Sequence, residues 1–261
     1  MNSKALINNL SRLFGYQIIK TSTLETLNNK KEKQGSKERF ALNSGERQIG
    51  KTISDIRKDH VVRYELVGDF LSKNVDDTSA LFGGDIFCGN GYGSNIISQR
   101  INCFSLGFDA SAEAIALANN YFANEKLFFS VKKFPFFLPS HIFDFIVSFE
   151  TIEHLVEDIS LIEVFETSLK KGGYLFLSAP NEEICSYEKN NYQFHIKHYT
   201  FSDIINILKK SGCFELISWY GNGAYNFENG VLVDPRKESE MILKENILDS
   251  HITYIFKKIK N

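Results

Sequence analysis

The chain is short of several things, and each shortage excludes something. It has four cysteines, at 88, 103, 185 and 213, and no two of them stand at CxxC spacing. Neither a zinc knuckle nor a redox dithiol is therefore signalled. It has four prolines, none of them before Pro135. No apolar run approaches the roughly 18–20 residues that a membrane-spanning helix needs. No compact apolar signal core opens the N-terminus, so the expected location is the reducing cytoplasm. What the chain has in quantity is aromatic residues, with 23 Phe and 11 Tyr among 261 residues. An aromatic-rich sequence with 43% hydrophobic residues buries a core and is not disordered throughout.

The near-neutral balance hides an asymmetry. The net charge is −2, yet the first 60 residues carry 12 Lys and Arg against 6 Asp and Glu, and the rest carry 18 against 26. The basic excess peaks at Lys30, Lys31, Lys33, Lys37 and Arg39. Such a run reads first as a solvated surface and second as a contact for phosphate or lipid headgroups.

Periodicity divides the chain. Leu6, Leu10, Leu13 and Phe14 lie at helical spacing within 4–20, and the polar, basic stretch 28–39 reads as a linker. A helical stripe resumes over 53–73. Beyond residue 80, short apolar runs alternate with amphipathic ones. Strands are expected at 81–87, 103–108, 127–131, 143–149, 173–179, 214–220 and 252–258, and helices at 93–100, 111–121, 157–170 and 201–211. Such alternation implies βαβ units. The last strand has no helix behind it and must lie antiparallel or at an edge. The expected fold is α/β, a Rossmann-like, doubly wound, seven-stranded and mostly parallel sheet with an antiparallel last strand. Residues 1–79 are expected to form an N-terminal helical and basic extension and cap, and 80–261 the main α/β domain.

The densest chemical signal is GGDIFCGNGYGS, which holds five of the 17 glycines. A strand running into Gly89-x-Gly91-x-Gly93 and then a helix lets a ligand approach bare backbone N–H groups. A dinucleotide fingerprint wants Gly or Ala where Ser94 stands, and Asp85 would repel a phosphate. Its charge suits a cationic or amino-bearing ligand.

With these residues the chain resembles the class I S-adenosylmethionine-dependent methyltransferases. Asp85 to Gly93 is similar to their D-x-G-C-G-x-G-x-G loop, with Phe87 where Gly is common. LGFDASAEAIALA matches their second strand end. There the resemblance implies that Asp109, with Ala110 beside it, grips the cofactor ribose, while Ser111 reads as the N-cap of the next helix. SHIFDFIVSFETIEHL and LKKGGYLFLSAPN resemble two further blocks of the family. Where many members place an acid against adenine, this chain has Val131 and Lys132.

Upstream, 44–67 is similar to a segment preceding the core in methyltransferases linked to surface-glycan assembly. That likeness implies that Arg63 and Tyr64 close over the methionine end of the cofactor, with Arg63 available to its carboxylate. Glu150, Glu153 and His154 stand at E-x-x-E-H spacing and could converge if the segment is helical. With His195 of FHIKHYT they are similar to the divalent-metal ligands of O-methyltransferases that act on RNA ribose or in ubiquinone biosynthesis. His154 is otherwise the general base. Tyr187, Tyr192 and Phe194 lie where an acceptor pocket is expected. His60, His141 and His251 read as packing or surface residues.

The leading expectation is methyl transfer from S-adenosylmethionine to a hydroxyl of a small-molecule or glycan-type acceptor. An RNA ribose 2′-O-methyltransferase with a divalent metal and a non-catalytic S-adenosylmethionine-binding scaffold are the alternatives. A hydride-transferring dehydrogenase ranks below both.

Overall fold

A computed structural model describes residues 48–261. The helix expected over 4–20 and the basic run at 30–39 lie outside them.

The described chain forms an α/β sandwich around one large sheet. Strands β1 (Phe82–Ile86), β2 (Phe104–Asp109), β3 (Leu127–Val131), β4 (Phe143–Phe149), β5 (Leu169–Pro180), β6 (Phe214–Asn222), β9 (Lys244–Glu245) and β10 (His251–Lys258) make it up, in the order β3-β2-β1-β4-β5-β10-β6-β9. The pairs among β1 to β5 are all parallel. β10 is antiparallel to both β5 and β6, the first of the two placements expected for it. The sheet has eight strands rather than the expected seven, because the two-residue β9 adds an edge against β6.

The helices sit where the periodicity placed them. They are α1 (Lys58–Asn74), α2 (Tyr92–Ile101), α3 (Ala112–Tyr121), α4 (Asp158–Ser168) and α5 (Phe201–Ser211). Their ends follow from local chemistry. The Ser111 hydroxyl accepts from Ala114 N–H at 3.1 Å and starts α3. Thr200 and Asp203 form a capping box on α5, and Gly212 ends that helix at φ 67°.

Alternation along the central strands buries both faces of the sheet. Phe145, Val147 and Phe149 of β4, Phe176 of β5 and Ile255 of β10 join one apolar cluster with residues of α1, α2 and α3. Ile146, Leu175, Leu177, Ile252 and Tyr254 join the other, with Leu161 and Phe165 of α4 and Ile204 and Leu208 of α5. Helix α1, from the expected extension, thus belongs to the packed layer through Val61, Tyr64, Val67 and Leu71. The stripe that begins at Ile53 is not one helix. Ile53–Asp55 is a 3-10 turn, and α1 starts only at Lys58.

The sequence reading missed one element. β7 (Tyr225–Glu228) and β8 (Val231–Pro235) form a separate two-stranded hairpin. Its turn is Asn229-Gly230, with φ 51° and 84°, the dipeptide that a two-residue hairpin favours.

Candidate active site

The strand order reverses direction between β1 and β4. In an open parallel sheet a ligand crevice forms there, beyond the carboxyl ends of the strands. The glycine loop leaves β1 at this point, and Glu150 to His154 leave β4 beside it.

The loop geometry explains its glycines at the positions that demand them. Gly91 is the N-cap of α2 at φ 82°, a left-handed conformation, and a side chain there would run into Phe129. Gly89 has φ 56°, and a side chain built on it would meet nothing within 4 Å, so its backbone borders open space. A Cβ at Gly93 would lie 2.1 Å from the Tyr64 ring. Tyr64 therefore packs on the loop, edge-on to Tyr92 and Phe149 at 5.5 and 4.8 Å. Phe87 takes φ 67°, which accounts for glycine being common at that place in the motif.

Asp85 is 3% exposed. The Ser94 hydroxyl donates to its Oδ2 at 2.5 Å, while Oδ1 accepts no hydrogen bond from any described residue. Burial pushes Asp85 up to about 7, against the Ser94 bond, which lowers it, and with Asp109, which raises it further. A buried carboxylate with one unsatisfied oxygen is the partner a cationic amino group needs. Asp109, at the end of β2, accepts from Gly89 N–H at 3.0 Å and from Ser111 N–H at 2.8 Å. It ties the glycine loop to the start of α3. Ala110 follows it and is exposed. Lys132 donates its N–H to the Asp109 carbonyl, and its ammonium lies over the Phe108 and Phe136 rings at 5.9 and 6.0 Å.

Arg63 has protein partners of its own. It is 1% exposed and meets Glu150 Oε1 at 3.0 Å, Asp59 Oδ2 at 3.3 Å and Asn222 Oδ1 at 3.1 Å. Glu150 sits at φ 49° directly after β4. The Ser178 hydroxyl donates to it at 2.6 Å, and His251 Nε2 lies 3.1 Å from its other oxygen. Burial alone would raise Glu150, but Arg63, His251 and Ser178 together hold it well below the usual carboxylate range. His251, expected to have no partner, thus belongs to this network.

The segment after Glu150 is not α-helical. Ile152–His154 is a single 3-10 turn, so Glu150 and His154 do not share a helix face. The structure instead brings Glu153 and His154 together with His195. Each can offer one ligand atom such that these atoms lie within 4.8 Å of one another. Glu150 stands outside the group, with Arg63 and His251. The segment from 194 to 198 is held against the turn by two bonds. Ile196 N–H donates to the Glu153 carbonyl, and His154 Nδ1–H donates to the Phe194 carbonyl, both at 2.8 Å. The His154 and His195 rings meet edge to face at 4.7 Å. Tyr192 stacks flat on His195 at 4.8 Å, and Tyr187 lies edge-on to His198 at 5.7 Å. Phe194 is exposed.

A methyltransferase-domain profile matches residues 85–218, more than half of the chain. The chain belongs to the methyltransferase domain family. It is an S-adenosylmethionine-dependent methyltransferase. Solved structures agree on the fold. An S-adenosylmethionine-dependent methyltransferase from Mesorhizobium loti superposes with a TM-score of 0.54 at 14% identity, over 73% of this chain and 96% of that one. One from Thermotoga maritima, whose name offers histamine N-methylation as a possibility, gives 0.53 at 18%, over 77% and 91%. A Haloferax volcanii complex of a methyltransferase with the Trm112 methyltransferase activator gives 0.53 at 13%, over 78% and 99%. Comparison with curated proteins returns no significant match. Among the described residues, no helix of the methyltransferase is long and apolar enough to cross a membrane.

Proposed function

We propose that this methyltransferase transfers the methyl group of S-adenosylmethionine to a hydroxyl of a small-molecule or glycan-type acceptor, with His154 as general base. The observation that carries the reading is the bond from His154 Nδ1–H to the Phe194 carbonyl. A carbonyl can only accept, so the proton sits on Nδ1 and Nε2 presents a lone pair. That lone pair belongs to a half-buried ring on the turn after β4, next to the glycine loop of β1. A hydroxyl must lose a proton as it attacks a methyl carbon in line, and an imidazole is suited to take it.

In this reading Asp85 receives the amino group of the cofactor and Gly89 lets the methionine end approach the backbone, while Gly91 and Gly93 shape the loop by making room for Phe129 and Tyr64. Asp109 receives the ribose hydroxyls. The unsatisfied Oδ1 of Asp85 and the open space over Gly89 fit that ligand. Tyr64 closes the loop from behind. Arg63 acts on the site through Glu150. The extension up to residue 79 serves as a cap.

A second arrangement of the same site is favoured by the grouping of Glu153, His154 and His195. One carboxylate and two imidazoles suit a divalent cation, and such an ion supplies Lewis acidity toward a coordinated hydroxyl.

The test is formation of S-adenosylhomocysteine with panels of hydroxyl and amine acceptors, for wild type and His154→Gln. A general base contributes about 10²- to 10⁴-fold, so the variant should lose that much in kcat while keeping its affinity for S-adenosylmethionine. Products methylated only on nitrogen would overturn the hydroxyl reading. Activity that survives exhaustive chelation would remove the cation.

A further inference from the structure

His198 lies deeper than the groups of the proposed site. It is 7% exposed, against the half-buried His154 and His195. Its Nδ1 is 2.7 Å from the Cys185 carbonyl, and its Nε2 is 2.7 Å from His195 Nδ1. The first contact assigns the second. The Cys185 carbonyl can only accept, so His198 carries its proton on Nδ1. A neutral His198 then has a lone pair on Nε2 and must accept there. The donor is His195 Nδ1–H, which leaves His195 Nε2 without a proton.

The 2.7 Å contact between the two rings has one nitrogen donating and the other accepting, so the rings cannot both be imidazolium. The ring plane of His195 is fixed from another side by Tyr192, which is nearly parallel to it at 8°. The anchor is itself well held. Cys185 is buried, donates its N–H to the Asn181 carbonyl at 2.8 Å and its thiol to the Ser250 carbonyl at 3.0 Å.

We propose that His198 is a positioning residue of this site: by accepting the His195 Nδ1–H it holds His195, within its group with Glu153 and His154, in the tautomer and ring orientation that leave Nε2 bare. The inference rests on the reading of that group as the acceptor site for its consequence, but not for its chemistry. Outer partners of this kind set the tautomer and basicity of an imidazole. With His198 in place, the His195 and His154 rings are each fixed by a bond at Nδ1, and His154 Nε2 lies 3.8 Å from Glu153 Oε1.

Two substitutions separate the positioning role from a structural one. His198→Asn keeps a donor at the Nδ1 place for the Cys185 carbonyl but offers His195 no acceptor. His198→Gln offers a carbonyl oxygen near the Nε2 place. The full chain, labelled with ¹⁵N in histidine, is read by NMR for the proton position on His195. Wild type should show Nδ1–H with bare Nε2, His198→Asn should move the proton to Nε2, and His198→Gln should restore it. Co²⁺ titration gives a second readout, with affinity expected to fall about 10- to 100-fold in the Asn variant and to recover in the Gln variant. A proton on Nε2 of His195 in wild type overturns the proposal without any variant, and so does an unchanged tautomer in folded His198→Asn. A tautomer switch in protein that binds no Co²⁺ upholds the assignment of His198 and overturns the cation arrangement alone.

Discussion

Buried Arg63 and half-buried Glu150 form an ion pair, Nη1 to Oε1 at 3.0 Å, that fastens helix α1 to the end of β4. Asp59 and Asn222 complete the surroundings of Arg63, and Ser178 and His251 those of Glu150. The network places residues from α1, β5, β6 and β10, and the residue that follows β4, at one point beside the proposed site. Removing one partner of such a pair leaves the others charged and buried. Arg63→Met should therefore lower unfolding stability by about 3–5 kcal/mol in chemical denaturation. A variant of unchanged stability but weakened S-adenosylmethionine binding would return Arg63 to the cofactor carboxylate.

Asp85 gives the apoprotein a pH dependence of definite sign. Its folded-state value is raised to about 7 by burial, above the unfolded value of about 4. The stability contributed by its protonated form is complete below about pH 4 and is lost as the pH rises through about 7. The stability difference between wild type and Asp85→Asn should fall over that window and then level off. A cofactor ammonium at Asp85 would favour the ionised form. Binding of S-adenosylmethionine near pH 6 should then release a proton, seen by calorimetry in buffers of different ionisation enthalpy.

Asp109 should matter to the cofactor beyond its own contact, because it also holds Gly89 and Ser111. Asp109→Ala should weaken S-adenosylmethionine binding by about 1–3 kcal/mol, as the loss of a charged hydrogen-bond acceptor does. Equal affinity in the variant would move the ribose elsewhere.

Phe87 bears a side chain in left-handed backbone, which costs a non-glycine residue about 1–2 kcal/mol. Its ring lies 6.1 Å from Phe134 and 6.2 Å from Phe136. Ala and Gly lose these ring contacts alike, but Ala keeps the strain. Glycine adds about 0.5–1 kcal/mol of backbone entropy in the unfolded chain, which offsets part of the relief. Phe87→Gly should therefore be at least as stable as Phe87→Ala in thermal unfolding. An Ala variant more stable by over about 1 kcal/mol would contradict the assigned strain.

Much of this was readable along the chain, because it depends on neighbours in sequence. The spacing of Leu161 and Phe165 fits a helix, and a strand buried on both faces reads as a mostly apolar run, as Phe143–Phe149 does apart from Asp144 and Ser148. The glycine loop was legible for the same reason, since the turn between β1 and α2 is made by five consecutive residues. The hairpin at 225–235 was overlooked although its Asn229-Gly230 turn carries a local signal, because its strand Val231–Pro235 is exposed throughout and has no buried face to give a period.

The proposed acceptor side was less legible. Glu150, Glu153 and His154 look equivalent by spacing, but the left-handed φ of Glu150 sends its carboxylate to Arg63 and His251, 87 and 101 residues away in sequence. No local pattern marks His198 as the acceptor of the His195 proton.

The sequence by itself determined the alternating α/β core, the antiparallel last strand and the glycine loop with Asp85 before it and Asp109 after it. Short-range sterics and the two side-chain periods act within a few residues, so the linear order is enough to specify them. Only the tertiary structure decided that Arg63 pairs with Glu150, that His251 joins them, that Glu150 stands apart from Glu153, His154 and His195, and that His198 backs His195. Those outcomes depend on burial, which makes each charge and each imidazole proton seek whichever partner the packed layers bring within about 3 Å.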